Sequence, residues 1–410
     1  MNVLARDISQ DLTVHVIRDL DELYALQAEW ERLHAEDKQA GVFLSWNWLV
    51  QGFQAKPDRF TVLVARSDGL SDRLVGILPL KSRVHWSGSK SQLQTQYEAG
   101  GRLIWSEYTG FICAPDWEGL VLAAFAKALA QMPWSTLSLR YIDQVERAEL
   151  FRKAFPKTEF SRSYRPYLIN KGTTNNLLCP QVDLGESFDA FLVTALSANS
   201  RQKFRRAERK HLETGELHFT ETGQADFETN LDTLMGFWRS KWEPIRGKAM
   251  TAKVAYSYQN MLRAALAADV LFMPVLWHGD RPLGVLAHVL DRKLSKVHFI
   301  MVGRDLEFDA PYVGQILHLA SIEWSIAHGY RTYDFCHGDE PYKYSYGTSD
   351  RETKFLSIKR RSNKADHCFD EANIGDALIR IRGFLSANQY DRAASACDQI
   401  IDAVSVASTH

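Results

Sequence analysis

From Tyr330 to Tyr346 the chain reads Tyr-Arg-Thr-Tyr-Asp-Phe-Cys-His-Gly-Asp-Glu-Pro-Tyr-Lys-Tyr-Ser-Tyr, a run dense in ionisable and aromatic groups. The carboxylates of Asp334 and Glu340 are of the kind that takes a proton from a bound nucleophile. The ammonium of Lys343 could hold a phosphate or carboxylate, or pin a developing oxyanion. Tyr342 sets a phenol beside them. Each also has a structural role open to it. An Asp on a strand is often a framework hydrogen-bonding group, Glu340 before Pro341 could cap a helical turn, and Lys343 could pair with either acid. His288, His298 and His337 are weaker candidates, because a lone His on a strand is more often a satisfied core or rim residue.

The flanking elements say how this cluster is delivered. Val313, Ile316, Leu317, Ala320, Trp324 and Ala327 form a helical stripe between Tyr312 and His328, which Gly329 is placed to end. A strand over Thr332 to Phe335 turns Tyr333 and Phe335 to one face and Thr332 and Asp334 to the other. Gly338 permits a sharp turn, and Pro341 suits the first position of a helical turn. The cluster therefore falls near one strand end, where open α/β sheets hold ligands.

The rest of the chain repeats one order of elements. In the first half, helices over Leu20 to His34 and Ser45 to Phe53 precede a strand at Phe60 to Ala65, a Ser-Asp-Gly turn and a strand at Arg73 to Leu80. A polar stretch from Ser87 to Gly101 reads as a long loop or exposed hairpin. A helix over Trp117 to Gln131 and a strand over Trp134 to Arg140 come next. In the second half, Leu271 to Trp277, Arg281 to His288, Lys296 to Val302, the helix from Tyr312 and the strand at Thr332 reproduce that order. Arg281-Pro-Leu-Gly-Val-Leu-Ala-His288 echoes Arg73-Leu-Val-Gly-Ile-Leu-Pro-Leu80. Echo and order together argue for a duplicated domain. Beyond Ser362, Gly375 to Leu385 and Tyr390 to Val404 read as two helices packing on the second domain.

Between the halves, Phe188 to His211 reads as helical and ends in a tract that carries Arg201, Lys203, Arg205, Arg206, Arg209 and Lys210 against Glu208 alone. Arg201, Arg205 and Arg209 share one face, which could attract phosphate or could be a solvated surface. With 410 residues, 45% hydrophobic and 24% charged, the composition is that of a globular protein of two or three domains, and the net charge of -1 argues against a surface wholly committed to nucleic acid or anionic lipid. The five cysteines are odd in number and widely spaced, so we expect reduced thiols, with no disulfide framework and no metal. The N-terminal Met-Asn-Val-Leu-Ala-Arg-Asp meets charge too early for a secretory signal, and no run approaches a membrane span. A cytoplasmic location is expected, with the inner-membrane face as a peripheral site.

The second-half order, the Arg-Pro-Leu-Gly-Val-Leu strand and the pattern Tyr333, Asp334, Phe335, Gly338, Glu340, Tyr342 and Lys343 resemble the tandem GNAT-fold acyltransferases of cellulose and exopolysaccharide biosynthesis. These are relatives of the Fem-type peptidoglycan aminoacyltransferases. Ser200-Arg-Gln-Lys-Phe-Arg-Arg and the following Gly-Glu-Leu-His-Phe match as well, and the resemblance runs from about Val14 to Arg361. It implies an α/β (α+β) fold of two tandem GNAT-like domains, each a mixed twisted sheet flanked by helices. Their expected bounds are 1–175, not catalytic, and 176–365, catalytic, with a helical extension at 366–410.

The resemblance further implies acetyl-CoA or another acyl-CoA as donor, held by Val302, Gly303, Arg304, Tyr312, Val313, Gly314 and Gln315. The acceptor would be an amine or amino sugar, met by Trp238, Trp242 and His337, with Asp334, Glu340, Tyr342 and Lys343 catalytic and envelope or polysaccharide machinery as partners. The CoA-binding members carry a Gln/Arg-x-x-Gly-x-Gly/Ala loop, whereas Arg304 to Gly314 holds Asp309, Pro311 and only Gly314 at its helical end. An aminoacyl-tRNA donor, contacted by Arg201 to Lys210, is therefore an alternative. A degenerate pair serving as a scaffold is another.

Overall fold

The computed structural model describes residues 12–67, 72–308, 312–362, 364 and 367–407. The expected Ser-Asp-Gly turn at 67–69, Asp309 and Pro311 thus fall wholly or partly outside them, as does the extreme N-terminus. The chain forms two compact units, Met1–Leu103 with Tyr108–Arg165 and Thr353–His410, and Ile104–Glu107 with Pro166–Glu352.

In the first unit the strand order is Leu12–Ile17, Phe60–Ser67, Leu74–Ser87, Gln92–Ala99, Thr136–Ile142, Lys354–Arg360 and Phe160–Tyr164. The polar stretch after Ser87 thus forms an antiparallel partner of the strand before it, with Leu93, Thr95 and Tyr97 pointing inward at period two. In the second unit the order is Leu217–Glu221, Pro274–His278, Arg281–Asp291, Lys296–Arg304, Thr332–Asp334, Leu178–Asp183 and Ser349–Glu352. Among the described strands, each sheet has one parallel pairing, three residues long. It joins Gln96, Tyr97 and Glu98 to Thr136, Leu137 and Ser138 in the first, and Lys296, Val297 and His298 to Thr332, Tyr333 and Asp334 in the second.

The place beside that parallel strand is filled in each sheet by a strand from a distant part of the chain; the one in the first sheet corrects the expected boundary at 365, and the break expected at 175 falls instead between Arg165 and Pro166. Leu178–Asp183 pairs antiparallel with Thr332–Asp334 and Ser349–Glu352. Lys354–Arg360 pairs with Thr136–Ile142 and Phe160–Tyr164 and so belongs to the first unit. The two C-terminal helices, Ile374–Ser386 and Tyr390–Ala407, also join the first unit rather than the second. Ala377, Ile381, Phe384, Ala393 and Ala396 bury against Val84, Trp86 and Leu93.

The echoed glycines have a shared physical cause. A Cβ on Gly76 would lie 2.3 Å from Val121 Cγ1 of helix Glu118–Gln131, and one on Gly284 would lie 2.6 Å from Leu317 Cδ1 of helix Val313–Ala327. In both sheets the central hairpin strand is thinned so that a helix can close on it. Gly303 is tighter in kind, because its Cβ would meet backbone, Leu234 O at 2.6 Å, and Phe237 Cβ at 2.9 Å. The end of a leucine side chain can swing away, but a helix carbonyl cannot. Gly303→Ala should therefore lower stability by about 1–3 kcal/mol and Gly284→Ala by less, read as urea-unfolding midpoints. Equal losses would refute the argument.

Candidate active site

Strand Lys296–Arg304 is bonded along its whole length to Arg281–Asp291, but to Thr332–Asp334 only as far as His298. From Phe299 onward its second edge has no strand against it among the described residues. Register passes from His288 opposite Phe299 to Ala287 opposite Met301, which leaves Ile300 as an extra residue and bends the strand there. The two parallel strands thus diverge, and a cleft of about 500 Å³ opens against the end of Lys296–Arg304. Val302, Gly303 and Arg304 line it from the strand, Gly314, Gln315 and His318 from helix Val313–Ala327, and Tyr342, Ser345 and Tyr346 from the 3₁₀ turn Pro341–Tyr346.

The remaining wall is Phe237 and Lys241, one turn apart on helix Phe227–Arg246. Lys241 and Arg304 bring two cations to the cleft, neither in an ion pair among the described residues. Burial pushes the Lys241 ammonium below its usual range; Arg304 adds to the shift and Glu340 opposes it. Tyr312 caps the helix start with no side-chain hydrogen bond, so the first N–H groups, with the positive end of the helix dipole, stay available to an anion. A Cβ on Gly314 would meet nothing within 4 Å.

Of the residues expected on the donor side, Val302, Gly303, Arg304, Gly314 and Gln315 meet at this cleft. Val313 is buried in the core instead, and Tyr312 stacks on His211 at 4.8 Å. Trp238 and Trp242 do not line it. They sit one residue past Phe237 and Lys241, which turns them about 100° round the helix, toward Tyr258 and Arg246. His337 is held elsewhere, its Nδ1 3.2 Å from Cys179 Sγ and its Nε2 on the Glu107 carbonyl.

Of the four residues expected to be catalytic, Tyr342 alone lines the cleft. Asp334 faces away from it, accepting from His298 Nδ1 at 3.2 Å and from Cys336 N–H at 2.8 Å. Lys343 is buried, its ammonium donating to the carbonyls of Cys336, His337 and Gly338 and pairing with Glu340 at 3.0 Å. Its donors are thereby committed to the loop. His298, Asp334 and Cys336 place ligand-type atoms within 4.8 Å of one another, a set a cation could use. In the structure Asp334 accepts from the His298 imidazole and from the Cys336 backbone N–H.

His318 was not among the residues singled out from the sequence, although it lies one turn beyond Gly314 on the same helical face. Its ring is enclosed by Phe299, Phe335, Tyr342 and Tyr346, with centroids 4.7–5.9 Å away. Its Nδ1 is 3.2 Å from Tyr333 Oη, which is 2.8 Å from His288 Nε2, and His288 Nδ1 is 3.2 Å from the Phe272 carbonyl. Burial pushes both imidazoles down to about 3, with His288 and Lys343 adding to the shift at His318. Burial also raises the Tyr333 phenol well above its usual range. His298 goes the other way. Burial works to lower it, but its bonds to Asp291 and Asp334 and their charges raise it.

The basic helix divides its charges. Arg201 donates to the carbonyls of Val193 and Leu196, and Arg205 pairs with Asp189 and Glu208, so these two of the expected phosphate stripe brace the preceding helix. Lys203, Arg206, Arg209 and Lys210 are exposed.

Lys343→Met should cost about 3 kcal/mol or more, because it strips the loop carbonyls and Glu340 of a buried partner; a variant with wild-type urea midpoint would deny Lys343 its structural role. For His298, a raised folded value means stabilisation that is complete below the unfolded value of about 6.5 and lost as pH rises through the folded one. His288 and His318, depressed, weaken the fold as pH falls below about 6.5. Stability should peak near neutrality, and His298→Gln should flatten only the alkaline limb. An unchanged limb in that variant would dissociate the slope from His298.

Residues 198–344 match the family described as "Acetyltransferase (GNAT) domain". No curated protein sequence matches the chain. Among solved structures, the crystal structure of FemX is 10% identical, covers 85% of this chain and 96% of its own, and has a TM-score of 0.55. A conserved protein of unknown function from Bacteroides thetaiotaomicron is 12% identical, with 82% and 96% covered and a TM-score of 0.49. The C-terminal domain of a putative lysylphosphatidylglycerol synthetase from Agrobacterium fabrum is 12% identical, with 88% and 96% covered and a TM-score of 0.46. The match over 198–344 spans most of the second unit's sheet and its cleft, so this segment has the fold of a GNAT acyltransferase domain, and the likeness to FemX covers both units.

Proposed function

We propose that the second unit transfers an acyl group, acetyl in the simplest case, from a coenzyme A thioester to an amine, an amino sugar or a similar compound used in bacterial envelope or exopolysaccharide synthesis. The observation that carries this reading is the cleft itself, where an unpaired strand edge from Phe299 to Arg304 faces an uncapped helix start across about 500 Å³. The open face of Gly314 and the cations of Lys241 and Arg304 suit a polyanionic donor. The thioester supplies an activated carbonyl and a thiolate leaving group.

The chain's own part is then mostly placement. Backbone N–H groups on the free edge point at the donor carbonyl, and Gln315 and Ser345 offer side-chain hydrogen bonds. Tyr342 lines the place the acceptor would take. Asp334, Glu340 and Lys343 serve by shaping the loop that carries Tyr342. The first unit takes no direct part in this reading. Its own divergence beyond Glu98 is closed by the chain, with Thr109 bridging to Ile142 and its N–H donating to the Tyr141 carbonyl at 2.9 Å. The internal use of Arg201 and Arg205 counts against an aminoacyl-tRNA donor.

Titration calorimetry with acetyl-CoA tests the donor. Gly314→Leu should keep the fold, since the helix gains a better former, while weakening acetyl-CoA affinity at least tenfold by filling the cleft. Full affinity in that variant, or no binding to the wild type at millimolar acetyl-CoA, would sink the reading.

A further inference from the structure

Asp334 points away from the cleft, and Glu340 is not among the residues that line it. The proton of an attacking amine must therefore go elsewhere. Two phenols, Lys241 and His318 are the titratable side chains of the lining besides Arg304, and hydrogen-bond bookkeeping picks out one of them.

A backbone carbonyl can only accept, so the contact between Phe272 O and His288 Nδ1 places a proton on that nitrogen. His288 is completely buried without a carboxylate and stays neutral, which leaves its Nε2 bare. Tyr333 Oη at 2.8 Å must then donate to it, and the phenol oxygen is left to accept. Its other neighbour, His318 Nδ1 at 3.2 Å, therefore carries a proton. In the neutral imidazole that fixes the lone pair on Nε2, which has no hydrogen-bond partner among the described residues, on a side chain that lines the cleft. The cleft thus presents a hydrogen-bond acceptor of settled orientation, set four groups deep in the core.

Resting on the acyl-transfer reading, we propose that His318 is the catalytic base, its Nε2 receiving the amine proton and the Tyr333–His288–Phe272 chain holding its tautomer. As the amine nitrogen bonds to the acyl carbon, its excess proton passes to Nε2. The C–S bond then breaks with its electron pair on sulfur, and the thiolate takes that proton back. His318 ends neutral, and the products are an amide and a free thiol. The groups facing the ring are Phe299, Tyr333, Phe335, Tyr342 and Tyr346, with the Lys343 charge behind them. They disfavour a resident imidazolium, so the nitrogen is free of a proton at neutral pH, and a cation forms there only transiently.

Long-range ¹H–¹⁵N spectra of histidine-labelled protein test the tautomer without any substrate. At pH 7 the His318 and His288 signals, assigned by loss in His318→Gln and His288→Gln, should both show a protonated Nδ1 and a bare Nε2. Tyr333→Phe should release His318 into a mixture of tautomers. A proton on His318 Nε2, or an imidazolium at pH 7, overturns the proposal. Turnover of acetyl-CoA with glucosamine and a panel of simple amines tests the role. His318→Gln should bind acetyl-CoA within about threefold of wild type yet lose at least about 10²-fold in kcat, and Tyr333→Phe should lose less and show a shifted pH profile. Binding with wild-type kcat in His318→Gln overturns His318 alone, whereas failure of the wild type to bind acetyl-CoA overturns the acyl-transfer reading beneath it.

Discussion

Everything distinctive about the second unit depends on a parallel contact that lasts three residues and then stops. Were Thr332–Asp334 to continue beside Phe299–Arg304, the sheet would close and the cleft would vanish. The last rungs of the contact are pinned from both faces. On one face His298 sits against Asp291 and Asp334. On the other, Tyr333 is tied to His288 and His318. Polar groups buried in this way cost several kcal/mol if left unpaired, so the contact is hard to slide in register and hard to extend.

The residues after Asp334 enforce the divergence. Cys336 and Gly338 adopt positive φ values of 53° and 101°, turning the chain away from Lys296–Arg304. The N–H groups of Phe335 and Gly338 go to the carbonyls of Pro180 and Leu178, on the opposite neighbour. Lys343 then collects the three carbonyls of the loop. A glycine suits position 338, since a Cβ there would also lie 2.6 Å from the Glu340 carboxylate. The dense run from Asp334 to Lys343 thus spends most of its polar groups on bending the backbone, and delivers Tyr342, Ser345 and Tyr346 to the cleft as the outcome.

Local periodicity made most of the fold legible from the sequence. The helical stripe after Tyr312, the strand at Thr332 and the glycine echo at positions 76 and 284 all rest on short-range patterns, and all have counterparts in the structure. The strands Leu178–Asp183 and Lys354–Arg360 left no comparable trace, because their place in each sheet is set by partners far away in the chain. The expected end at 365 failed for that reason, because Lys354–Arg360 pairs in the first sheet. At the site, Gly303, Arg304 and Gly314, named through the family resemblance, do line the cleft. Alternation correctly put Tyr333 and Asp334 on opposite faces but could not say which face met the cleft, and the same ambiguity of phase separated Trp238 and Trp242 from Phe237 and Lys241. His318 sits in an apolar helix, where a lone histidine carries no signal until its neighbours are known.

An uncharged base suits this environment for reasons that can be weighed. A carboxylate among Phe299, Phe335, Tyr342 and Tyr346 would be desolvated and pushed toward its protonated form, making it a donor. A lysine would face the repulsion of Lys343. An imidazole alone carries two nitrogens on different edges of one ring, so one can be fastened while the other works. The fastening is directional only because the chain ends on a group that cannot donate. Phe272 pairs with His288 across the short strand Leu271–Phe272, and its carbonyl imposes one tautomer on His288, one rotamer on the Tyr333 hydroxyl and one tautomer on His318. In the proposed mechanism the position of the lone pair at the cleft is thus set by a backbone oxygen remote from it, and the strand pairing that fixes the sheet also fixes that oxygen.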